Sequence, residues 1–467
     1  MLEAIAADSP ADPLRNGSAI FLESDCPTCR LALERLAAAG VDDVVAVFED
    51  PAPVAARVAR QSGYRGPVYA EPAPYATSER LDVRTVPTTI AFHDGAETAR
   101  VVGWDRDGLA GLLGRSLGAD GPVTKPGCAA RWTYEATAVD EFEELFDLGF
   151  SDGLPVVPPT PERVEAMLDG RDPTQSLGRV PPGGGEATLE RVASCAVLAG
   201  CKPSYFPTVL AACAAILDER FNLNGLAVTT SPPGQTLIVN GPVRSAIGLN
   251  SGMGALGPGW RANMTIGRAV RLLVQLTGAG QPGRLDRSTL GHMGKLGQCI
   301  AEAEELGPWT PLHVERGFSA DQSTVTVLGC DAPLSVSDHR SQAPEQLAAT
   351  LATAAASTWS PNWWPLEDVT QLFVVCPEHV ALLTGAGWSK DDLRTAIFEH
   401  PQRQGAELIR FGEAPPAAHA DPARTFRKWL DPSQLMIIAA GGEAGRFSAV
   451  FGPSLGMGST PITREIA

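Results

Sequence analysis

The feature that most constrains the fold lies near the N-terminus. A short apolar run, SAIFLE at 18–23, leads into Asp25-Cys26-Pro27-Thr28-Cys29-Arg30. A run of that length and character reads as a buried strand. Beyond the cysteines a helical pattern begins, with Leu31, Leu33, Leu36 and Ala37 on one face. Two thiols are therefore expected where a strand hands over to a helix. Cys26 at the helix N-terminus would meet unpaired N–H groups and the positive end of the helix dipole, and both favour a thiolate. Cys29, almost one turn later, is within reach of a mixed disulfide formed on Cys26. The carboxylate of Asp25 acts the other way and is expected to raise the Cys26 pKa.

The next 90 residues continue in the same idiom. VVAVF (44–48) reads as a second strand ending at Glu49-Asp50-Pro51, and a helix with Val54, Val58 and Ala59 follows. Then come a short PVYA strand, a SERL turn and the run Val86-Pro87-Thr88-Thr89-Ile90-Ala91-Phe92. Asp94-Gly95 is a strong hairpin signal. Strand ARVVG and helix GLAGLLGRSL close the unit.

This βαβαβ(α)ββα order, with C-x-x-C after the first strand, resembles the redoxin branch of the thioredoxin superfamily, including its peroxiredoxin-like and membrane-anchored thiol-reductase relatives. The matching residues are Cys26, Cys29, the Val86-Pro87-Thr88-Thr89 element and the VFEDP stretch. The resemblance implies a thioredoxin-like fold over residues 1–120. It also implies a cis Pro87 facing the Cys26–Cys29 disulfide, and exchange chemistry for which the C-x-x-C requires no cofactor. Two departures stand out. Typical thioredoxins carry Trp before the first Cys and Gly-Pro between the two, where this chain has Asp25 and Pro27-Thr28. These departures argue against a strongly oxidising role. The alternative use of a C-x-x-C, half of a zinc site, lacks a second C-x-x-C to complete four ligands.

Composition bounds the partners and the compartment. The net charge is −17, and the five lysines (Lys125, Lys202, Lys295, Lys390, Lys428) form no basic run. That excludes a surface built to neutralise phosphates, so no nucleic-acid partner is expected. No run approaches the 18 or so apolar residues of a membrane span. The opening MLEAIAADSPADPLRNGS lacks the apolar core of a secretory signal. A cytoplasmic protein with no membrane partner is expected. There its nine cysteines would be free or catalytic and not a disulfide framework. Gly and Pro, 48 and 39 residues, are close to a fifth of the chain against a norm of roughly 12%, so loops are abundant.

Residues 121–133 read as a linker rich in Gly, Pro and Ala. Cys128 within it either reaches the C-x-x-C or is incidental. From residue 134 the character changes. DEFEELFDLGF is amphipathic, and DGLPVVPPTPERV follows, with Thr160 and Pro161 suited to open a helix. This string resembles the opening of a large bacterial family of stand-alone proteins without an assigned reaction. The resemblance continues through AGCKPSYFP, NGLAVTT, IVNGPVR, GLNSGMGALGPGWRANMTIGRA, STLGHMGKLGQCIAEAEE, PLHVERGF, GWSKDDLR and AGGEAGRFSAV, nearly all of 135–467. Relatives in that family accompany small seleno- or thiol-proteins with a Sec/Cys-Gly-Ser-Cys motif, which does not occur in this chain. The resemblance thus implies a link to thiol chemistry. A larger α/β or α+β domain is expected over 134–467.

Three constellations in this part bear chemistry. Cys201, between two helices and beside Lys202, is either an activated thiolate or a buried small hydrophobe like Cys195 and Cys213. The loop at 248–263, with Gly252, Gly254, Gly257, Arg261 and Asn263 ahead of helix MTIGRAVRLLVQL, is either a site for an anionic group or a packed glycine turn. Its spacing matches neither a Walker A loop nor a dinucleotide fingerprint. Third, a helical 291–305 would align His292, Lys295, Cys299 and Glu302 on one face, with His313 and Glu315 nearby. Such a group could activate Cys299 or hold a metal through His292, Cys299, Glu302 and His313. The aromatic loop TWSPNWWP (358–365) reads as a lid or interface. LFVVCPEHVALL reads as a strand and helix burying Cys376, and LMIIAAGG (435–442) as a buried strand running into a glycine turn.

Together these features point to a thiol–disulfide oxidoreductase. Its redoxin part would use Cys26 and Cys29 on a small-molecule or protein disulfide and service a sulfur centre, Cys201 or Cys299, in the larger part. Tethering raises the effective concentration of one part toward the other to the mM range. The alternatives are a metal- or cysteine-dependent lyase or hydrolase with the redoxin as accessory reductant, and a redox-sensing binding module.

Overall fold

The computed structural model describes residues 2–5, 13–72, 75–130, 141–357, 369–400, 402–404, 406, 423, 425–452 and 459–467. The described chain is mixed α/β, its strands divided among several small sheets. It forms two compact units, Met1–Glu141 with Gly184–Glu186, and Phe142–Gly183 with Ala187–Ala467. Among the described residues no helix is long and apolar enough to cross a membrane. The aromatic loop at 358–365 lies outside the described residues.

The first unit is built on a six-stranded sheet. Its elements are β1 (Glu3–Ala4), β2 (Gly17–Leu22), α1 (Pro27–Ala38), β3 (Val45–Phe48), α2 (Ala52–Gln61), β4 (Val68–Ala70), α3 (Ala76–Arg80), β5 (Thr85–Val86), β6 (Thr88–His93), β7 (Ala96–Val102), β8 (Trp104–Asp105) and α4 (Arg106–Leu113). The strand order is β1-β4-β3-β2-β6-β7. β2, β3 and β4 run parallel, joined by helices, while β6 and β7 run antiparallel to the strands beside them. β3 lies between two parallel neighbours and is buried along its whole length, as its unbroken apolar run requires. The β6–β7 hairpin turns on Asp94 and Gly95, both at positive φ, as the Asp-Gly signal predicts. Of SERL, expected as a turn, Ser78–Arg80 belong to α3 and Leu81 is its C-cap. α1 buries Cys29, Ala32, Leu33 and Leu36, so its inward stripe is centred one position from that expected.

Residues 121–130, expected as part of a linker, belong to this unit. β9 (Thr124–Lys125) pairs with β8, and β10 (Cys128–Ala129) pairs with β5.

The second unit holds two four-stranded sheets. The first has the order Gln298–Ala301, Gly234–Asn240, Thr324–Cys330, Ile462–Glu465. The second has the order Pro333–Ser337, Phe447–Phe451, Gln371–Val375, Leu435–Ala439. Alternation along the strands divides the side chains between two faces. In the first sheet Leu237, Val239, Cys299, Ala301, Val325 and Val327 pack against helices Leu189–Ala199, Phe206–Ile216 and Arg261–Leu276. Ile238, Ile300, Leu328 and Cys330 face the other way and meet Leu372, Val374, Met436 and Ile438 of the second sheet. Phe373, Val375, Ile437 and Ala439 then pack on helices Pro344–Ser357, Pro377–Gly385 and Lys390–Glu399. The result is four layers, helix–sheet–sheet–helix. Each sheet contains one parallel pair (Gly234–Asn240 with Gln298–Ala301, and Gln371–Val375 with Leu435–Ala439) and two antiparallel pairings, so the two halves repeat one pattern. Their fourth strands are exchanged. Pro333–Ser337 follows the first sheet in sequence but joins the second, and the C-terminal Ile462–Glu465 returns to the first.

Candidate functional site

In the first unit, β2 ends at Leu22 and delivers the chain to Cys26, the N-cap residue of α1. The intervening turn is fixed by Asp50 of the VFEDP stretch. Its carboxylate accepts from the Ser24 amide at 2.8 Å and the Ser24 hydroxyl at 2.7 Å. The Cys29 amide donates to Cys26 Sγ at 3.3 Å, so the sulfur takes the place of a capping oxygen. The Val86–Pro87 peptide bond is cis, and the Val86 carbonyl oxygen lies 3.5 Å from Cys26 Sγ. Cys29 is also buried, and its sulfur accepts from the Glu23 amide at 3.5 Å.

The two thiols titrate in opposite directions. Burial alone pushes Cys26 up, but hydrogen bonds from the Cys128 and Cys29 thiols and from the Cys29 and Thr28 amides hold it well below the ordinary thiol value. Burial and the neighbouring Cys26 sulfur push Cys29 well above it, although the Glu23 amide pulls it down. The direction for Cys26 is opposite to the one expected from Asp25, because the hydrogen bonds converging on the sulfur decide it. Cys128, placed by β10 opposite Val86, is the third sulfur of the group. Sequence reasoning singled out this thiol but not its position, which depends on the pairing of β10 with β5. The roles of Glu23 and of the Val86 carbonyl carried no sequence signal, since each arises from where backbone atoms meet.

The candidates in the larger unit do not assemble into a site. The stretch 291–305 is not a helix. A short 3-10 turn over Met293–Leu296 runs into the strand Gln298–Ala301. Gly291, Gly294 and Gly297 break the helical register, and Gly291 and Gly297 sit at positive φ. His292 caps the 3-10 turn through the Gly294 amide at 3.1 Å. Lys295 pairs with Asp286 at 2.8 Å. Cys299 points into the helix-facing core, where burial raises its pKa. Glu302 is engaged by Lys390 at 2.8 Å, Asn240 at 2.6 Å and the Leu312 amide at 2.7 Å. His313 is fully buried, with its Nδ1 3.9 Å from Glu304. The expected metal set of His292, Cys299, Glu302 and His313 is therefore dispersed. Among the described residues no group of three or more His, Cys, Asp or Glu side chains is placed to hold a metal.

Of the two readings of Cys201, its place in the buried core fits the small hydrophobe. Burial outweighs the Thr265 hydroxyl and the charges of Arg261 and Arg268, and pushes its thiol up to about 12. Lys202, expected to activate it, is exposed to solvent. Cys195 is likewise raised to about 12 by burial. These thiols pack as small hydrophobes. The 248–263 loop is held by its own side chains. Asn263 accepts from the Asn250 amide and donates to the Asn250 carbonyl, each at 2.9 Å, and Asn250 accepts from the Gly252 amide. Gly254 turns at positive φ and its carbonyl accepts from Gly257. Arg261 donates to the Gly200 carbonyl at 2.9 Å. Asn263 and Gly252 thus serve the loop itself, and Arg261 ties it to the end of helix Leu189–Ala199. The DGLP motif has a structural role too, since Asp152 forms a two-pronged pair with Arg268 at 2.7 and 2.8 Å.

A cleft of about 720 Å³ opens elsewhere in the larger unit, lined in part by Trp309, Glu315, Trp388, Ser389, Lys390 and Arg394. Lys390 Nζ reaches Glu302 at 2.8 Å and Glu315 at 3.3 Å, and Arg394 reaches Glu315 at 2.9 Å. Burial raises the Glu315 carboxyl, although Lys390 and Arg394 pull it down. Sequence reasoning singles out Glu315 beside His313, and Lys390 and Arg394 fall in the GWSKDDLR string, but no sequence signal brings the three together. Lys390 and Arg394 come from a helix 75 or more residues further along the chain. No protein-family model matches this chain, and no curated protein matches it.

Proposed function

We propose that the first unit is a thioredoxin-like thiol–disulfide oxidoreductase in which Cys26 is the attacking sulfur. The observation that carries this reading is the setting of Cys26 at the N-cap of α1, 3.3 Å from the Cys29 amide and 3.5 Å from the carbonyl preceding cis-Pro87. A helix N-terminus stabilises the thiolate, and the thiolate is the nucleophile. The Cys26 thiolate attacks one sulfur of a substrate disulfide. A Cys26–substrate bond forms, the substrate S–S bond breaks, and the departing sulfur leaves as a thiolate that takes up a proton. A second protein thiol then attacks Cys26 and expels the other half. The substrate gains two electrons and the protein is left with a disulfide. The substrate is a small-molecule or protein disulfide, and the exchange itself needs no cofactor.

The test is turnover of oxidised glutathione by the full chain, with dithiothreitol as electron source. Cys26→Ser is expected to abolish it, and undiminished multiple turnover in that variant would overturn the reading.

A second activity in the larger unit is favoured by the cleft at Glu315. There a carboxyl whose pKa is raised by burial, beside two cations, suits general acid chemistry of the hydrolase or lyase kind.

A further inference from the structure

Resting on the oxidoreductase reading, we infer that Cys128, and not Cys29, is the first thiol to resolve the mixed disulfide on Cys26. Three observations carry this. The first is register: Cys128 lies directly opposite Val86, whose carbonyl oxygen is 3.5 Å from Cys26 Sγ. The second is how firmly the segment bearing it is held. Trp104 Nε1 donates to the Pro122 carbonyl at 2.8 Å, the Arg106 amide to Val123 at 2.8 Å, the Thr28 hydroxyl to Pro126 at 2.8 Å, and the Ala130 amide to Arg84 at 3.0 Å. Gly127 permits the close approach, since a Cβ there would lie 2.5 Å from both Thr85 Cγ2 and the Val86 oxygen. Residues 122–130 therefore form a strap across the N-terminus of α1, and the thiol reaches Cys26 without a search through a flexible linker. The third is the contrast between the two partners. Cys29 is 2% exposed in the core beneath the turn, whereas Cys128 is half-buried. Burial also keeps Cys29 protonated, and only a thiolate attacks.

The Cys128 thiolate attacks Cys26 Sγ, the Cys26–Cys128 bond forms, the Cys26–substrate bond breaks, and the substrate sulfur departs as a thiolate that takes up a proton. The two electrons gained by the substrate disulfide come from Cys26 and Cys128.

The experiment is a single turnover of the reduced full chain with oxidised glutathione. Free thiols are then blocked by alkylation and each cysteine is assigned by mass spectrometry. In the wild type under limiting oxidant, a Cys26–Cys128 disulfide is expected first. Cys29→Ser is expected to release both glutathiones and to hold that disulfide. Cys128→Ser is expected to keep glutathione on Cys26 about tenfold longer. The double variant Cys29→Ser/Cys128→Ser is expected to trap it. Gly127→Ala, which lifts the strap without altering a thiol, is expected to slow release as Cys128→Ser does. Release from Cys128→Ser within twofold of the wild-type rate overturns the inference and leaves the oxidoreductase reading intact. Absence of any Cys26 adduct in the double variant overturns both.

Discussion

At the scale of single residues, the chemistry of this chain turns on which cysteine carries a charge. None of the nine is in a disulfide, and eight of them are buried. Burial pushes a thiol up in pKa unless hydrogen bonds to the sulfur outweigh it. Cys195, Cys201, Cys213, Cys299, Cys330 and Cys376 are raised, and only Cys26 is both buried and lowered. Alkylation by iodoacetamide should therefore be fastest at Cys26. Its rate should rise with pH and level off well below the ordinary thiol pKa near 8.5. In Cys128→Ala the inflection should move upward, because a hydrogen bond to the thiolate is lost. The sign for stability follows from the same direction. Between the lowered native pKa and the ordinary value the unfolded chain binds more protons at Cys26. Stability of the reduced protein from this group therefore rises with pH across that window and is lost as pH falls through the native pKa. An inflection in the native protein at or above the ordinary value would contradict the assignment.

At the scale of elements, local pattern was a sound guide where the element is made by its own residues. The strand–cysteine–helix joint, the Asp94-Gly95 hairpin and the strand-to-helix run at Cys376 all lie where periodicity and turn chemistry put them. Pattern failed in GHMGKLGQC, where a helical reading gathered His292, Cys299 and Glu302 on one face. The reason is visible in Gly297. It sits at positive φ, and a Cβ there would run into the Gly267 carbonyl of helix Arg261–Leu276. In turn, a Cβ on Gly267 would lie 2.7 Å from the Gly297 carbonyl carbon. Two glycines almost touching let the helix settle against the start of strand Gln298–Ala301, a requirement that no local propensity records. Gly267→Ala should destabilise the protein by about 1–3 kcal/mol through overpacking. Gly297→Ala should do more, since positive φ adds strain. Gly111→Ala in α4 meets nothing within 4 Å and should be neutral or stabilising by up to about 1 kcal/mol. Chemical denaturation of the three variants decides the matter, and a Gly267→Ala protein as stable as wild type would show that the contact is not close.

At the scale of the whole molecule, the question is whether one chemistry or two resides in the chain. The sulfur group belongs entirely to the first unit, and the cleft at Glu315, Lys390 and Arg394 entirely to the second. If the activities are separate, Glu315→Gln should leave oxidised-glutathione turnover within about twofold of wild type while abolishing any acid-dependent turnover at the cleft. Loss of both in Glu315→Gln would tie the cleft to the redox reaction. The sequence by itself determined the local frame of the first unit: which residues make its central strands and helices, and that Cys26 caps α1. Those features depend on side-chain periodicity, turn residues and contacts within a few positions. Only the tertiary structure decided which distant groups meet. The pairing of β10 with β5 brought Cys128 to Cys26 across about 100 residues of chain. The exchange of fourth strands between the two sheets, and the burial that raises the Cys201 and Cys299 thiols, follow from packing between elements that share no local signal. Proximity and desolvation are properties of the folded neighbourhood, and it is these that set the charge on each sulfur.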